Sequence, residues 1–126
     1  LEFEQAANKY IDTDKLVTFD YFFTRKTMFM RYAQGFIVFP GGFGTFDELF
    51  EAITLIQTKK IAKFPIILYG SKFWKGLFEW VKESVLDGEH NISEKDLEIY
   101  NIVDSPEEAV KIIEDFYRNY EHKPNF

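Results

Sequence analysis

The sequence contains no cysteine. That excludes a disulfide framework, a thiol nucleophile and a cysteine-ligated zinc site. It has only two histidines, His90 and His122, too far apart in the chain for metal-motif spacing, and no metal is expected. Basic residues are in the minority: 15 Lys and Arg stand against 21 Asp and Glu, for a net charge of −6. A nucleic-acid footprint is basic, so no nucleic-acid partner is expected. No apolar run approaches the roughly 20 residues of a membrane-spanning helix, and no secretory leader pattern opens the chain. The expectation is a cytoplasmic protein with no membrane partner. Low-complexity tracts, internal repeats and linkers are also absent, which points to one domain over residues 1–126. What is present is core-forming material: 46% hydrophobic and 19% aromatic residues, with 15 Phe, in a chain long enough for one small domain.

Periodicity orders the elements. Residues 1–14 read as a loop or short helical turn. "KLVTFD" (15–20) has strand composition, and Phe22, Phe29, Met30 and Ala33 in the following segment fall near helical spacing. "GFIVF" (35–39) is a continuous apolar run of strand length, predicting a strand buried on both faces. From Thr45 to about Thr58 the period becomes helical, with Phe46, Leu49, Phe50, Ile53 and Ile56 on one stripe. "KFPIILYG" (63–70) predicts a second buried strand. Residues 71–88 predict a helix with Trp74, Leu77, Phe78, Val81 and Val85 inward and Gly88 at its stop. "ISEKDLE" (92–98) suits a short helix and "IYNIVD" (99–104) a strand. The last helix, 105–120, carries its own start signals: Ser105 to cap it, Pro106 at the first position and Glu108 at capping-box spacing. Strands alternating with helices predict an α/β parallel sheet with crossover helices.

The least ordinary stretch is "GFIVFPGGFGTFDELF" (35–50). Three glycines fall within four positions, Gly41, Gly42 and Gly44, between a buried strand and a helix. In a parallel α/β sheet ligands bind at this place. Glycine permits positive φ and leaves no Cβ between the backbone amides and a ligand. Free amides at a helix start favour a phosphate or carboxylate, and Thr45 adds a hydroxyl. A plain glycine turn with no ligand fits the same residues. The spacing matches neither the dinucleotide fingerprint, which needs a third glycine further on, nor the P-loop, which needs Gly-Lys-Ser/Thr. Thr45 and Glu48 have capping-box spacing, and on the residues alone a structural cap is the favoured role for Glu48. Arg25-Lys26 reads either as a solvated basic pair or as a clamp on the same anion. "KKIAK" (59–63) reads as a solvated helix end, and Trp74 and Trp80 as core or interface.

"PGGFGTFDE" resembles the P-G-G-x-G-T-x-x-E signature of the Lonely Guy family of cytokinin-activating phosphoribohydrolases, long described as lysine decarboxylase-like. "FFTRKTMF" (22–29) is similar to that family's Arg-Lys segment, which likewise shortly precedes the glycine motif. "LEFEQAANKYID", "ITLIQTKKI" and "FPIILYGSKFWKGLFEWV" look like its longer bacterial branch, so the resemblance covers nearly the whole chain. It implies a Rossmann-like fold, a homodimer, and hydrolysis of the N-glycosidic bond of a nucleoside 5′-monophosphate, AMP or an N6-modified relative, to free base and ribose 5-phosphate. No cofactor is implied. By motif position Arg25 and Glu48 are the catalytic pair. Lys26, Gly41, Gly42, Gly44 and Thr45 bind substrate, with Thr54 and Glu4 further candidates. The family has a preceding half with more strands and an earlier glycine-rich loop. This chain begins at Leu1, so it is expected to be a truncated, C-terminal portion of the family domain. Decarboxylation of an amino acid calls for pyridoxal phosphate on a lysine, and no lysine here has a site context that singles it out. A non-catalytic nucleotide or phosphate-cofactor binding protein of the same fold is the alternative. A DNA-processing protein is disfavoured by the net charge of −6.

Overall fold

The computed structural model describes residues 34–119. The elements expected before residue 34 lie outside the described residues. Three parallel strands form one sheet in the order β1-β2-β3: β1 Phe36–Val38, β2 Ile66–Tyr69 and β3 Tyr100–Val103. Phe36 pairs with Ile66 and Val38 with Leu68, while Ile66 pairs with Tyr100 and Tyr69 with Val103. Helix α1, Phe43–Gln57, joins β1 to β2. Helix α2, Ser71–Trp80, follows β2 and runs on as a π-helical segment, Val81–Gly88, then a 3₁₀ turn, Glu94–Glu98. Helix α3, Pro106–Asn119, follows β3. This is the α/β parallel sheet with crossover helices that the alternation of periods predicts, and the Rossmann-like fold that the family resemblance implies.

The strand period of two sorts the core into two faces. Ile66 and Leu68 of β2, with Val38 of β1, pack beneath Leu49, Ala52 and Ile56 of α1 and Trp74 and Phe78 of α2. Ile67 and Val103 face the other way, onto Ala109, Ile112 and Ile113 of α3. Ile66, Ile67 and Leu68 are all fully buried, each worth about 1.5–3 kcal/mol of burial. Two crossovers that step in the same direction across a sheet, with the same hand, must share a face, and α1 and α2 do. Helix α3 runs back down the opposite face, where the Tyr117 hydroxyl donates to the Gln34 carbonyl.

Three expectations need correction. Strand β1 is not buried on both faces: Val38 is, but Ile37 is 44% exposed, because α3 covers β2 and β3 more fully than β1. Helix α1 starts at Phe43, not Thr45. The inward stripe of the 71–88 helix shifts at its end: Leu86, not Val85, is the buried residue there. A π-helical turn is wider than an α turn, so the residue after Val81 that returns to the core comes five positions on.

Candidate functional site

The site is built at the carboxyl ends of the strands. Residues Phe39 to Gly42 leave β1 and enter α1 without a long loop. Gly42 stands just before the helix with extended backbone, φ −102° and ψ −156°. The Phe46 amide donates to the Gly42 carbonyl at 3.2 Å. The amides of Phe43, Gly44 and Thr45 precede that bond, and no side chain of the start residue caps them. No acidic residue lies in the first turn either. The positive end of the α1 dipole is therefore left uncompensated by local sequence.

The three glycines have different reasons to be glycine. None has positive φ; among the described glycines only Gly70 does, at 102°. A Cβ on Gly41 would lie 2.2 Å from Thr45 Oγ1 and 3.0 Å from Thr45 Cβ, so Gly41 is the price of seating Thr45 against the loop. A Cβ on Gly42 or Gly44 would meet nothing within 4 Å. Packing among the described residues thus requires Gly41 and leaves Gly42 and Gly44 facing open space beside the helix amides.

Starting at Phe43 makes Thr45 the third residue of α1 and Glu48 the sixth. A capping box pairs the residue before the helix with its third residue. Glu48 is out of that range, and its reading as a cap is overturned. It is half-buried, one turn beyond Thr45 and about 4.5 Å further along the axis. Among the described residues no hydrogen bond or ion pair holds its carboxylate. Thr45 and Glu48 share one side of α1. Thr54 does not join them: it lies about 120° around the helix from Glu48, roughly 13 Å along from Thr45, and its hydroxyl donates to the Phe50 carbonyl at 2.7 Å. Arg25, Lys26 and Glu4 lie outside the described residues.

The neighbouring helix starts are closed where that of α1 is open. The Ser71 amide of α2 donates to Asp104 Oδ1 at 2.8 Å, a carboxylate supplied from the end of β3. The Glu108 amide of α3 donates to Ser105 Oγ at 3.2 Å. The Glu108 carboxylate reaches one residue further back than a capping box requires and accepts from the Asp104 amide at 3.2 Å. Sequence reasoning missed the Asp104 contact, which joins residues 33 apart; the only local sign was an acidic residue at the end of a predicted strand.

Beside the loop, the outer side of α1 carries a shallow depression of about 650 Å³, lined by Phe43, Phe46, Phe50 and Thr54 among others. Phe43 is 91% exposed, and Phe73 and Trp80 of α2 add further exposed apolar surface. Between α1, the π-helical segment and the 3₁₀ turn lies a second cavity of about 300 Å³. On its wall Gln57 Nε2 donates to Asp96 Oδ2 at 2.9 Å. Burial works to raise the Asp96 carboxyl, but the Ser93 amide, the Gln57 amide and the Ser93 hydroxyl outweigh it and hold it below the usual value. The Ser71 amide does the same for Asp104. A carboxyl whose folded value is lowered stabilises the fold above its unfolded value, and loses that contribution as pH falls through the folded value. Thermal stability is therefore expected to hold at neutral pH and to fall on acidification below about pH 4. In a melting series, Asp96→Asn should flatten the acid limb.

The family model described as "Possible lysine decarboxylase" matches residues 1–113. The chain belongs to this family, the lysine decarboxylase-like or Lonely Guy family. Its members among the curated relatives include a cytokinin riboside 5′-monophosphate phosphoribohydrolase of Arabidopsis thaliana, 31% identical over 97 residues, covering 77% of this chain and 45% of the relative. The enzyme of that name from Oryza sativa subsp. japonica is 33% identical over 98 residues, covering 77% of this chain and 39% of the relative. One from Mycobacterium tuberculosis is 46% identical over a shorter 43 residues, 34% of this chain and 23% of the relative. The chain spans less than half the length of the curated relatives it matches. Among the described residues of this family member, no helix is long and apolar enough to cross a membrane.

Proposed function

We propose that this chain supplies the phosphate-binding loop and a catalytic carboxylate to a phosphoribohydrolase, which hydrolyses a nucleoside 5′-monophosphate, AMP or an N6-modified AMP, to free base and ribose 5-phosphate. The observation that carries the reading is the open start of α1: uncapped amides, no acidic residue in the first turn, and two glycines whose missing Cβ atoms border empty space. A phosphate there completes the amides and the dipole together. Relatives covering 77% of the chain are named for such an activity, which supports the substrate class.

In this reading Gly41, Gly42, Gly44 and Thr45 hold the 5′-phosphate, and the ribose extends toward Glu48. Cleavage of the bond between C1′ and the base nitrogen builds positive charge on the sugar, as in glycoside hydrolysis. The Glu48 carboxylate stabilises that charge and orients the attacking water, whose oxygen forms the new bond to C1′. The departing base takes up a proton. Arg25, with Lys26 beside it, fixes the nucleotide or assists base departure. Thr54 and Glu4 are assigned to the same pocket by motif position alone, and the Thr54 placement on another side of α1 makes it the weaker member. A homodimer belongs to this reading. Exposed Phe43, Phe50, Phe73 and Trp80 along α1 and α2 support it, as apolar surface that a second subunit would remove from water.

Gly44→Ala tests the loop. The position is helical with ordinary φ and room for a methyl group, so alanine should stabilise the fold by up to about 1 kcal/mol. The same methyl group stands where a phosphate oxygen approaches, so nucleotide affinity should fall at least about tenfold. Melting and calorimetric titration with AMP read the two effects separately. Unchanged AMP affinity would remove the phosphate from this loop. Tight AMP binding with no adenine or ribose 5-phosphate released would instead favour a non-catalytic nucleotide-binding protein.

A further inference from the structure

We propose that Asp104 restricts the crevice to ligands with a single phosphate. This deepens the phosphate-binding reading of α1 and rests on it. Among the described residues three helices begin at this edge of the sheet. The Ser71 amide at the start of α2 is already taken by Asp104 Oδ1 at 2.8 Å, and α3 carries its own Ser105 cap. A carboxylate on a helix's first amide is chemically a stand-in for a phosphate oxygen. Asp104 is thus an anion built into the place that a second phosphoryl group would take.

The backbone that carries this carboxylate is fixed at two points. Its own amide donates to Glu108 Oε2 at 3.2 Å, and the Gly70 amide donates to the Val103 carbonyl at 2.8 Å, locking the β2–α2 turn to the end of β3. The occupied start of α2 also lies next to the open start of α1. Gly70, at φ 102°, faces Pro40, which opens the glycine loop: a Cβ on Gly70 would lie 3.7 Å from Pro40 Cγ. The Ser71 hydrogen bond favours the ionised form of Asp104. A monophosphate at α1 uses only amides that are free. A di- or triphosphate that extends toward α2 meets a full negative charge and an amide with no bond to offer.

The test is calorimetric titration of the full-length protein and its Asp104→Asn and Asp104→Ala variants with AMP and with ADP. Wild type should prefer AMP. Asp104→Asn keeps an oxygen on the Ser71 amide but removes the charge, and should shift the ADP-to-AMP affinity ratio toward ADP by about threefold. Asp104→Ala also vacates the amide, and the shift should reach about tenfold. Parallel loss of both nucleotides with the ratio unchanged would mean that Asp104 only caps α2, and would overturn the proposal while leaving the phosphate site intact. No AMP binding by the wild type would overturn the phosphate site itself, and this proposal with it. If Asp104→Ala fails to fold, the Asp104→Asn ratio decides alone.

Discussion

Glu48→Gln is expected to lower turnover of a nucleoside 5′-monophosphate by about a thousandfold, with the melting temperature unchanged. That loss corresponds to about 4 kcal/mol of transition-state stabilisation, within the range for a positioned carboxylate that both activates water and faces developing charge. Glutamine keeps the size and shape of the side chain and removes only its charge and basicity. The stability half of the expectation follows from the structure. Glu48 is the sixth residue of α1, too deep to cap it, and among the described residues nothing bonds its carboxylate. Among the described residues no fold interaction is there to be lost. Product separation by chromatography and a melting curve on one preparation give both numbers. Surviving turnover would remove Glu48 from the chemistry. A melting temperature lowered by several degrees would return it to a structural role.

Gly41→Ala is expected to act in the opposite way, on fold and function together. The new Cβ would sit 2.2 Å from Thr45 Oγ1 and 3.4 Å from Thr45 Cγ2. Thr45 must rotate or the loop must open, at a cost of about 1–3 kcal/mol for an overpacked contact. The first response moves the Thr45 hydroxyl and the second moves the first amides of α1, so either way phosphate affinity should fall by at least about tenfold as well. The pair can be tested by a double-mutant cycle in urea unfolding. Thr45→Ala removes the two nearest obstructing atoms other than Thr45 Cβ, so the double variant should recover about 1 kcal/mol relative to Gly41→Ala. It should not recover phosphate binding, because the hydroxyl is gone. Strict additivity would show that the two residues do not touch. The contrast with Gly44→Ala is the useful one. Two glycines of one loop should change stability with opposite signs and binding with the same sign, which a simple flexible-turn account does not produce.

Much of the fold was legible because its signals are local. The apolar run of β2, the period of α1 and the Ser-Pro-Glu-Glu start of α3 each state their element within a few residues, and all three formed where expected to within two or three positions. The glycine motif was legible for the same reason: it is contiguous, and its density of glycine at a strand-to-helix junction has few structural uses. The family followed from that motif and the Arg-Lys segment before it, and the match over residues 1–113 bears it out.

The sequence by itself determined the order of strands and helices over residues 34–119, the place of the loop and the family. Tertiary structure decided how the loop residues are packed. The cap position of α1 falls on Gly42, three residues before Thr45, which took Glu48 out of capping range, and no periodicity count resolves so small a shift at a helix end. The separate reasons for Gly41 and for Gly42 and Gly44 depend on which atoms a Cβ would meet, which is a distance and not a pattern. The bond from Asp104 to the start of α2 crosses from one strand end to the next, between residues remote in the chain. Propensity and capping act over one helical turn, whereas the closing of one helix start and the opening of its neighbour depend on which strands lie side by side.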